Sequence, residues 1–330
     1  QITHERRRQL AERLLEVPWG LLVASDRFAV GIPQDVYAGV LGRSWVAPCP
    51  SGPVHPETFR VWEAIEAGCV PLVEQASLDG RDWRWLWDAL GLPDDFAVRD
   101  WDKVGEVIDR FTSEGPAALC DRANRLQTGL VWRAHDLAVR IRAVLDEPPA
   151  AVTAIVTMSP IPSHPSLEVL AETVRSLREL GPGGPIIVAC DGPQDGDNVD
   201  TYREAIRILC DLCLHDPDWQ NVLPLLADDW QHQANMVRLA LDRVHSPLVL
   251  VVEHDTPLFD GPVPPIPWEQ LVAAVRSGEV NVVRLHHEAS VLDAHRHLML
   301  GSGPDLVCGA PLWRTIQWSQ RPALVSAAYY

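Results

Sequence analysis

The sequence predicts an α/β protein with two Rossmann-like α/β/α domains, the second of them built on a mostly parallel sheet. Runs such as residues 248–252 are apolar at every position, as in parallel strands that are covered on both faces. Such runs alternate along the chain with amphipathic helical stretches, an order that gives right-handed parallel β-α-β units. The 330 residues, 47% of them hydrophobic and 22% charged, provide enough apolar side chains for two buried cores.

The first predicted domain covers residues 1–147. Its helices are predicted at 4–16, 34–41, 56–68, 102–112 and 115–145. The first is rich in arginine and glutamate, and Pro56 and Gly68 mark the ends of the third. Its strands are predicted at 21–24, 44–50 and 69–73. The Trp-rich segment 83–101 is predicted to form a loop and a strand.

The second predicted domain covers residues 148–330 and begins where Pro148 and Pro149 end the preceding helix. Its strands are predicted at 152–157, 186–190, 247–252 and 281–288. Its helices are predicted at 166–180, 199–213, 231–244 and 268–277. The stretch 214–229 carries no clear periodic pattern.

Composition excludes some functions and favours one compartment. A formal net charge of −17 argues against broad electrostatic binding of a nucleic-acid backbone, although it is compatible with a locally basic groove. Cys210 and Cys213 form a CxxC pair without a second pair at zinc spacing, so buried thiols are expected. The sequence has no signal peptide and no apolar run of about 18 residues, which predicts no membrane span and a cytoplasmic location. Because the chain starts at Gln1 and ends at Tyr330 without a polar tail, we expect it to be a piece of a longer protein.

The strand predicted at 247–252 ends in the motif Glu253-His254-Asp255. Residues two apart on a strand point the same way, so both carboxylates leave the strand together. The carboxyl ends of the strands are where open α/β sheets bind their ligands. Two convergent carboxylates suit a hard divalent cation, which in turn suits a diphosphate. The alternative interpretation is a solvated acidic turn without a ligand.

Residues 47–72 contain the run APCPSG, followed from residue 56 by PETFRVWEAIEAGCVPL. This pattern resembles the carboxyl-terminal, nucleotide-binding half of the exostosin-like glycosyltransferases, which have the GT-B fold. The resemblance implies that Glu63 contacts a ribose and that Thr58 and Arg60 lie near phosphate. Helix N-terminal amides attract anions and arginine pairs with phosphate oxygens, which agrees with those roles. Residues 1–145 have room for one GT-B half only, and the alternative is that Glu63 simply caps a packing helix.

The second domain has the predicted order strand, helix, strand with Asp191-Gly192, two helices, and the strand with Glu253-His254-Asp255. This order resembles the family-2 type of nucleotide-diphospho-sugar transferases, which have the GT-A fold. The resemblance implies that Glu253 reaches the sugar or ribose and that Asp255 holds Mn²⁺ or Mg²⁺. The motif is Glu-His-Asp instead of Asp-X-Asp, so the role of Glu253 departs from the family pattern. The residues implied to contact the nucleotide are Thr157, Ser159, Asp191, Gly192 and Arg238.

The strand predicted at 281–288 alternates so that Arg284, His286 and Glu288 share one face. Glu288 is the candidate base for the acceptor hydroxyl. His286 or His287 is a candidate further ligand for the metal or the phosphates. The alternative is an ordinary polar sheet edge.

The segment 313–322 is rich in indole and guanidinium groups. Indole rings stack on sugars and arginine pairs with phosphate, so Trp313, Trp318 and Arg321 are candidates for the acceptor side. The alternative is the ordinary packing of a terminal loop.

Together these observations predict a metal-dependent glycosyltransferase that uses Mn²⁺ or Mg²⁺ and carries out its chemistry in the second domain. Its partners would be a nucleotide-diphosphate sugar and an acceptor with a hydroxyl group. Two alternatives remain open. The first domain could be the catalytic half of a GT-B enzyme whose other half is missing, or the chain could bind sugars or nucleotides without turnover.

Overall fold

A computed structural model of the chain describes residues 2–17, 33–51, 59–76, 80–89, 96–145, 150–159, 166–193, 199–258, 265–286, 291–316 and 322–330. The chain divides into two compact units, residues 1–131 and 132–330. Both units combine helices with mainly parallel strands, which confirms the predicted α/β class.

The first unit contains a three-stranded parallel sheet with the order β1-β2-β3, formed by β1 (Val46–Pro48), β2 (Val70–Glu74) and β3 (Ala97–Val98). All five residues of β2 are buried, as expected for a central parallel strand. The helices are α1 (Ile2–Leu14), α2 (Gln34–Leu41), α3 (Phe59–Glu66), α4 (Arg84–Ala89), α5 (Val104–Ser113) and α6 (Pro116–Val144).

The Trp-rich segment differs from its prediction because α4 lies where a loop was expected. Trp83 and Trp87 are both buried, and residues four apart lie on one helical face. The Trp87 indole Nε1 also donates to the carbonyl oxygen of Glu74 at 2.8 Å. With six residues, α4 is too short to show a helical periodicity in the sequence, so the prediction missed it. The strand predicted at 21–24 lies outside the described residues.

Helix α6 is 29 residues long, and the division between the units falls within it, after Val131. The boundary predicted between residues 147 and 148 lies in segment 146–149, outside the described residues, and stays a prediction. Charged side chains recur along α6. Among the described residues, neither α6 nor any other helix combines the length and the apolar character needed to cross a membrane.

The second unit is built on a six-stranded sheet with the order β6-β5-β4-β7-β11-β8. Strands β4 to β7 are parallel, and β11 is antiparallel to both of its neighbours. The six strands are β4 (Val152–Met158), β5 (Ile186–Cys190), β6 (Val222–Leu226), β7 (Leu248–Glu253), β8 (Val282–Arg284) and β11 (Ala323–Ser326). A separate antiparallel ribbon consists of β9 (Met299–Val307) and β10 (Ala310–Thr315). The helices are α7 (Glu168–Leu180), α8 (Val199–His215), α9 (His232–Leu241) and α10 (Trp268–Arg276).

The predicted strands β4, β5 and β7 are confirmed, whereas β6 was missed in a stretch without a clear pattern. Pro224 interrupts the β6 sequence, and a proline is tolerated there because β6 is an edge strand. The strand predicted at 281–288 is shorter than expected, since β8 ends at Arg284. Beyond the end of β8, the Leu285 amide still donates to the Pro322 carbonyl at 2.8 Å, so the pairing of the two segments continues for one more residue.

Helix α7 shows how the core of the second unit forms. Leu170, Val174 and Leu177 follow the i, i+4, i+7 spacing of one helical face and are all buried in the main apolar cluster. Full burial of each such side chain contributes about 1.5–3 kcal/mol. Cys210 of the CxxC pair is buried in the same cluster, as expected, and burial raises the pKa of the Cys213 thiol.

Candidate active site

The parallel register brings three predicted site residues together at the carboxyl ends of neighbouring strands of the second sheet, which we call the carboxyl edge. Thr157 of β4 lies beside Glu253 of β7, and the next residue of β4, Met158, pairs with Cys190 of β5. Asp191 follows Cys190 directly, and its amide donates to the Met158 carbonyl at 2.8 Å. The carboxyl ends of β4, β5 and β7 therefore present Thr157, Asp191 and Glu253 side by side.

Asp191 is the most unusual residue of this edge because its carboxylate is buried, with 2% of the residue exposed. Oδ1 accepts from the amides of Gly192 at 2.9 Å and Gln231 at 2.6 Å. The backbone oxygen of Asp191 accepts from the hydroxyl of Tyr202 at 2.8 Å, which fixes the strand end. Oδ2 is buried and has no hydrogen-bond partner among the described residues. A buried polar oxygen in that state costs free energy, which a ligand with a suitably placed donor would recover.

Gly192 allows the segment after β6 to pass directly over this strand end. A Cβ atom at Gly192 would lie 2.3 Å from the carbonyl carbon of Asp229 and 2.5 Å from its oxygen. Only glycine fits so close to a neighbouring backbone. The same close approach brings the Gln231 amide within hydrogen-bond distance of Asp191. The position of segment 229–231 therefore depends on both Asp191 and Gly192.

Gln233, at the start of α9, connects two of the three strand ends. Its Nε2 donates to Glu253 Oε1 at 2.8 Å and lies 3.2 Å from Thr157 Oγ1. The preceding residue, His232, has a φ of 68°, a left-handed conformation that is uncommon outside glycine. Sequence reasoning placed Gln233 on the helix before β7 but gave it no role. The available signal was its position in the first turn of that helix.

The Glu253-His254-Asp255 motif is held in a tight turn. The Thr256 amide and hydroxyl both donate to the Glu253 carbonyl, at 3.1 and 3.0 Å. His254 is buried, and its backbone bonds to Thr157 and Thr173 at 3.0 and 2.6 Å. Glu253 is half-buried and Asp255 is exposed, on either side of the buried histidine. Because β7 ends at Glu253 and the next two residues form the turn, the common direction of the two acids stays a prediction.

The carboxylate oxygens of this motif are suited to coordinate a divalent ion together with phosphate oxygens of a bound substrate. Glu253 Oε2 and both carboxylate oxygens of Asp255 have no hydrogen bond to any described residue. Within the described part of the chain, no group of three His, Cys, Asp or Glu side chains is arranged to hold a metal ion alone. Mg²⁺ is commonly bound by one or two carboxylates together with substrate phosphates, which matches such a two-acid site.

The remaining residues predicted for the second unit are distributed unevenly around this edge. Ser159 is half-buried just after β4, and His286 is exposed just after β8. Arg238 lies in the last turn of α9 with an exposed side chain, about 7.5 Å along the helix axis from Gln233. Trp313 is half-buried in β10. Glu288, His287, Trp318 and Arg321 lie outside the described residues.

In the first unit, Glu63 is exposed on α3 and its Oε2 accepts from the hydroxyl of Tyr37 at 3.2 Å. Burial, followed by the nearby Glu63 charge, raises the pKa of Tyr37 to about 12. Arg60 is exposed one turn earlier, and Thr58 lies outside the described residues. These contacts leave the nucleotide-binding roles of the three residues as predictions.

The first unit also contains a buried carboxylate that sequence reasoning did not select. Glu74 ends β2 and is buried, and its side chain accepts from the Ser51 hydroxyl and the Trp101 indole. A glutamate inside an apolar strand is a visible sequence signal. Its protein donors indicate a structural role that ties together the ends of β1 and β2.

No family model matches the chain, and no curated protein matches it. Among solved structures, S. aureus TarS is similar to it with 13% sequence identity and a TM-score of 0.34, over 54% of this chain and 28% of that one. The mannosyltransferase PcManGT from Pyrobaculum calidifontis, solved with GDP-Man and Mn²⁺, has 16% identity and a TM-score of 0.36, over 64% of this chain and 55% of that one. The chain thus spans less than two thirds of the length of either structure, and scores at this level identify no family for it.

Proposed function

We propose that the second unit is a metal-dependent glycosyltransferase of the GT-A type, which moves a sugar from a nucleotide-diphosphate donor to an acceptor hydroxyl. The observation that carries this proposal is the buried Asp191 Oδ2, which lacks a partner among the described residues. Asp191 follows the carboxyl end of β5, and β4 separates β5 from β7, which ends in the Glu253-His254-Asp255 motif. In this proposal, a hydrogen-bond donor of the nucleotide binds Asp191. The diphosphate, bound through a metal ion, lies at Asp255.

Asp191 also suggests which nucleotide binds. Because Oδ1 is already occupied by two amides, only one carboxylate oxygen remains for a ligand. A single N–H donor, such as N3–H of uracil, or one ribose hydroxyl satisfies it. Guanine presents two parallel donors that need both oxygens of a carboxylate. We therefore use uridine diphosphate as the probe for this site.

In the proposed reaction, the acceptor oxygen forms a bond to the anomeric carbon while the bond from that carbon to the diphosphate breaks. The nucleoside diphosphate leaves with the electron pair, and the hydroxyl proton passes to a base, for which Glu288 is the candidate. Asp255 and Glu253 would hold Mn²⁺ or Mg²⁺, which neutralises charge on the leaving diphosphate when bound. Gln233 orients the Glu253 carboxylate through its 2.8 Å hydrogen bond.

Asp191→Asn tests the proposal at the residue that carries it. Asparagine keeps Oδ1 for the two backbone amides and replaces Oδ2 with an NH₂ group, which repels a ligand donor. We expect UDP affinity, measured by calorimetry with Mn²⁺, to fall about 10- to 100-fold while the fold is retained. Asp216→Asn is the matched control, because Asp216 likewise uses Oδ1 to accept a backbone amide, that of Asp218 at 2.9 Å.

Two results would reject the proposal. The first is UDP binding that is equally strong in Asp191→Asn and in the wild type. The second is wild-type protein that binds UDP but never releases it from UDP-sugars in the presence of Mn²⁺, which would favour a binding module without turnover.

A further inference from the structure

A second group of polar side chains lies at the same sheet edge, two strands away from Glu253. Strands β7 and β8 are both antiparallel to β11, so they run in the same direction. Ala323 of β11 pairs with Val251 on one side and with Arg284 on the other. His286, two residues beyond Arg284, therefore lies level with Glu253, at roughly 10 Å for two strand spacings.

From His286 a continuous set of contacts leads away from the sheet. Its ring is 6.5 Å from the ring of His295, which belongs to the 3-10 helix Asp293–Leu298. The neighbouring Arg296 places its guanidinium carbon 5.9 Å from the ring centre of Trp313. We call His286, His295, Arg296 and Trp313 the edge cluster.

The edge cluster is anchored at its far end. The Leu298 carbonyl, which ends the 3-10 helix, accepts from the Ile316 amide at 3.2 Å and from the Thr315 hydroxyl at 3.1 Å. These two bonds join the 3-10 helix to the end of β10. Arg296 and Trp313 are thus held next to each other by these hydrogen bonds as well as by the contact between their side chains.

The chemistry of the edge cluster contrasts with the rest of this acidic chain. Four of its 12 histidines, namely His286, His287, His295 and His297, lie within 12 residues of sequence. Arg296 is 59% exposed, and its one ion pair, Nε to Asp293 Oδ1 at 3.4 Å, leaves both terminal nitrogens without a partner among the described residues. Guanidinium and imidazole N–H groups are donors suited to phosphate or carboxylate oxygens. The indole of Trp313 offers a flat apolar surface for a sugar ring.

We propose that the edge cluster binds an anionic acceptor, a sugar or polyol that carries a phosphate or a carboxylate near the hydroxyl to be glycosylated. This inference rests on the proposed function, because it needs a donor at Asp191 and Asp255. Arg296, with the two histidines, binds the anion, and Trp313 packs against the carbon skeleton. The distance of roughly 10 Å from Glu253 leaves room for one donor sugar between the two sites.

The test compares anionic and neutral probes on the intact protein by calorimetry, with saturating UDP and Mn²⁺. Glucose 6-phosphate represents the phosphate source, glucuronate the carboxylate source and glucose the neutral reference. We expect one or both anions to bind at least about tenfold more tightly than glucose, and Arg296→Gln to remove about tenfold of that affinity. Whichever anion binds more tightly identifies the source.

Arg314→Gln is the matched control, because it removes the same charge from a position next to Trp313 in β10, outside the edge cluster, where Arg314 pairs with Asp305 at 2.7 Å. Trp313→Leu is a second variant, in which we expect weaker binding of all three probes. Equal affinity for glucose and both anions, or no binding of any of them, would overturn the inference. So would anion binding that Arg296→Gln leaves intact. UDP titrated alone into the wild type tests the proposed function separately.

Discussion

Asp191 illustrates how one side chain can serve both the fold and a ligand. Its Oδ1 fixes two backbone amides from different segments, Gly192 and Gln231. Its Oδ2 is buried and accepts from no described residue. Because the first oxygen already holds the carboxylate in place, a ligand at the second meets an oriented acceptor and loses little side-chain freedom. Asp191→Asn is therefore more informative than Asp191→Ala, because asparagine keeps the oxygen that binds the two amides and changes only the second one.

His135, on α6, is a second buried polar residue, and we expect it to make the fold sensitive to acid. Its ring contacts Trp132 and His245 at 6.0 and 6.4 Å, and its Nδ1 has no partner among the described residues. Burial lowers the pKa of His135. The charge of Asp136 raises this pKa, whereas the charges of His245 and Arg142 lower it further. The folded state therefore disfavours the protonated ring.

The consequence is a loss of stability on acidification. A histidine with a lowered folded pKa contributes stability above its unfolded pKa of about 6.5, and that stability is lost as pH falls through the folded value. We expect the melting temperature to fall from pH 7.5 to 5, and to fall less steeply in His135→Leu. His215→Leu, at an exposed histidine beside Asp211, is the control. Parallel pH profiles for wild type and His135→Leu would contradict this prediction.

At the scale of elements, the site depends on two segments that approach a strand end closely. Segment 229–231 passes over Gly192, and the start of α9 turns through a left-handed His232 to direct Gln233 toward β4 and β7. Both approaches depend on backbone conformation, which makes the positions sensitive to small changes.

Gly192→Ala tests the close approach. The added methyl would overlap the Asp229 carbonyl group, so the segment must move and withdraw the Gln231 amide from Asp191. We expect a loss of about 1–3 kcal/mol in the free energy of unfolding in urea, together with weaker UDP binding.

The control for that variant is Gly129→Ala, in the interior of α6, where an added methyl meets no described atom within 4 Å. There alanine should stabilise by about 0.5–1 kcal/mol through helix propensity. Unchanged stability and UDP binding in Gly192→Ala would show that segment 229–231 adapts without cost.

At the scale of the whole molecule, each unit carries carboxylates at or near the ends of parallel strands, so the chain offers two candidate sites. In the first unit, the Glu63 carboxylate accepts from Tyr37, and Glu74 is enclosed by Ser51 and Trp101. In the second unit, Asp255 is exposed and Asp191 keeps a buried acceptor. Of these carboxylates, Asp191 combines burial with an acceptor oxygen that no described residue uses, and for this reason we propose that the chemistry takes place in the second unit.

Paired alanine variants decide between the units. We expect Asp255→Ala to reduce Mn²⁺-dependent release of UDP from UDP-sugars about 100-fold or more relative to Glu63→Ala. Asp242→Ala, at an exposed acid just after α9, controls for the loss of a surface charge. A larger loss in Glu63→Ala than in Asp255→Ala would move the chemistry to the first unit.

Sequence patterns were sufficient for elements whose residues form their own signal. The apolar runs of β4, β5 and β7, the spacing of Leu170, Val174 and Leu177 in α7, and the acids at strand ends are all local features. They predicted a parallel sheet with Asp191, Glu253 and Asp255 at one edge, and the register of Thr157 beside Glu253 agrees with this arrangement.

Only the tertiary structure decided the rest, because those features depend on residues far apart in the chain. The insertion of β11 between β7 and β8, and the acceptance of Pro224 in β6, follow from neighbours and edges that a local window does not contain. The Gln233 bonds to Thr157 and Glu253, and the contacts that link His286 to Trp313, likewise arise only on folding. The sequence determined which residue types reach the edge of the sheet. Packing determined which of their atoms remain available to a ligand, since hydrogen bonds between distant segments use up some oxygens and leave others open.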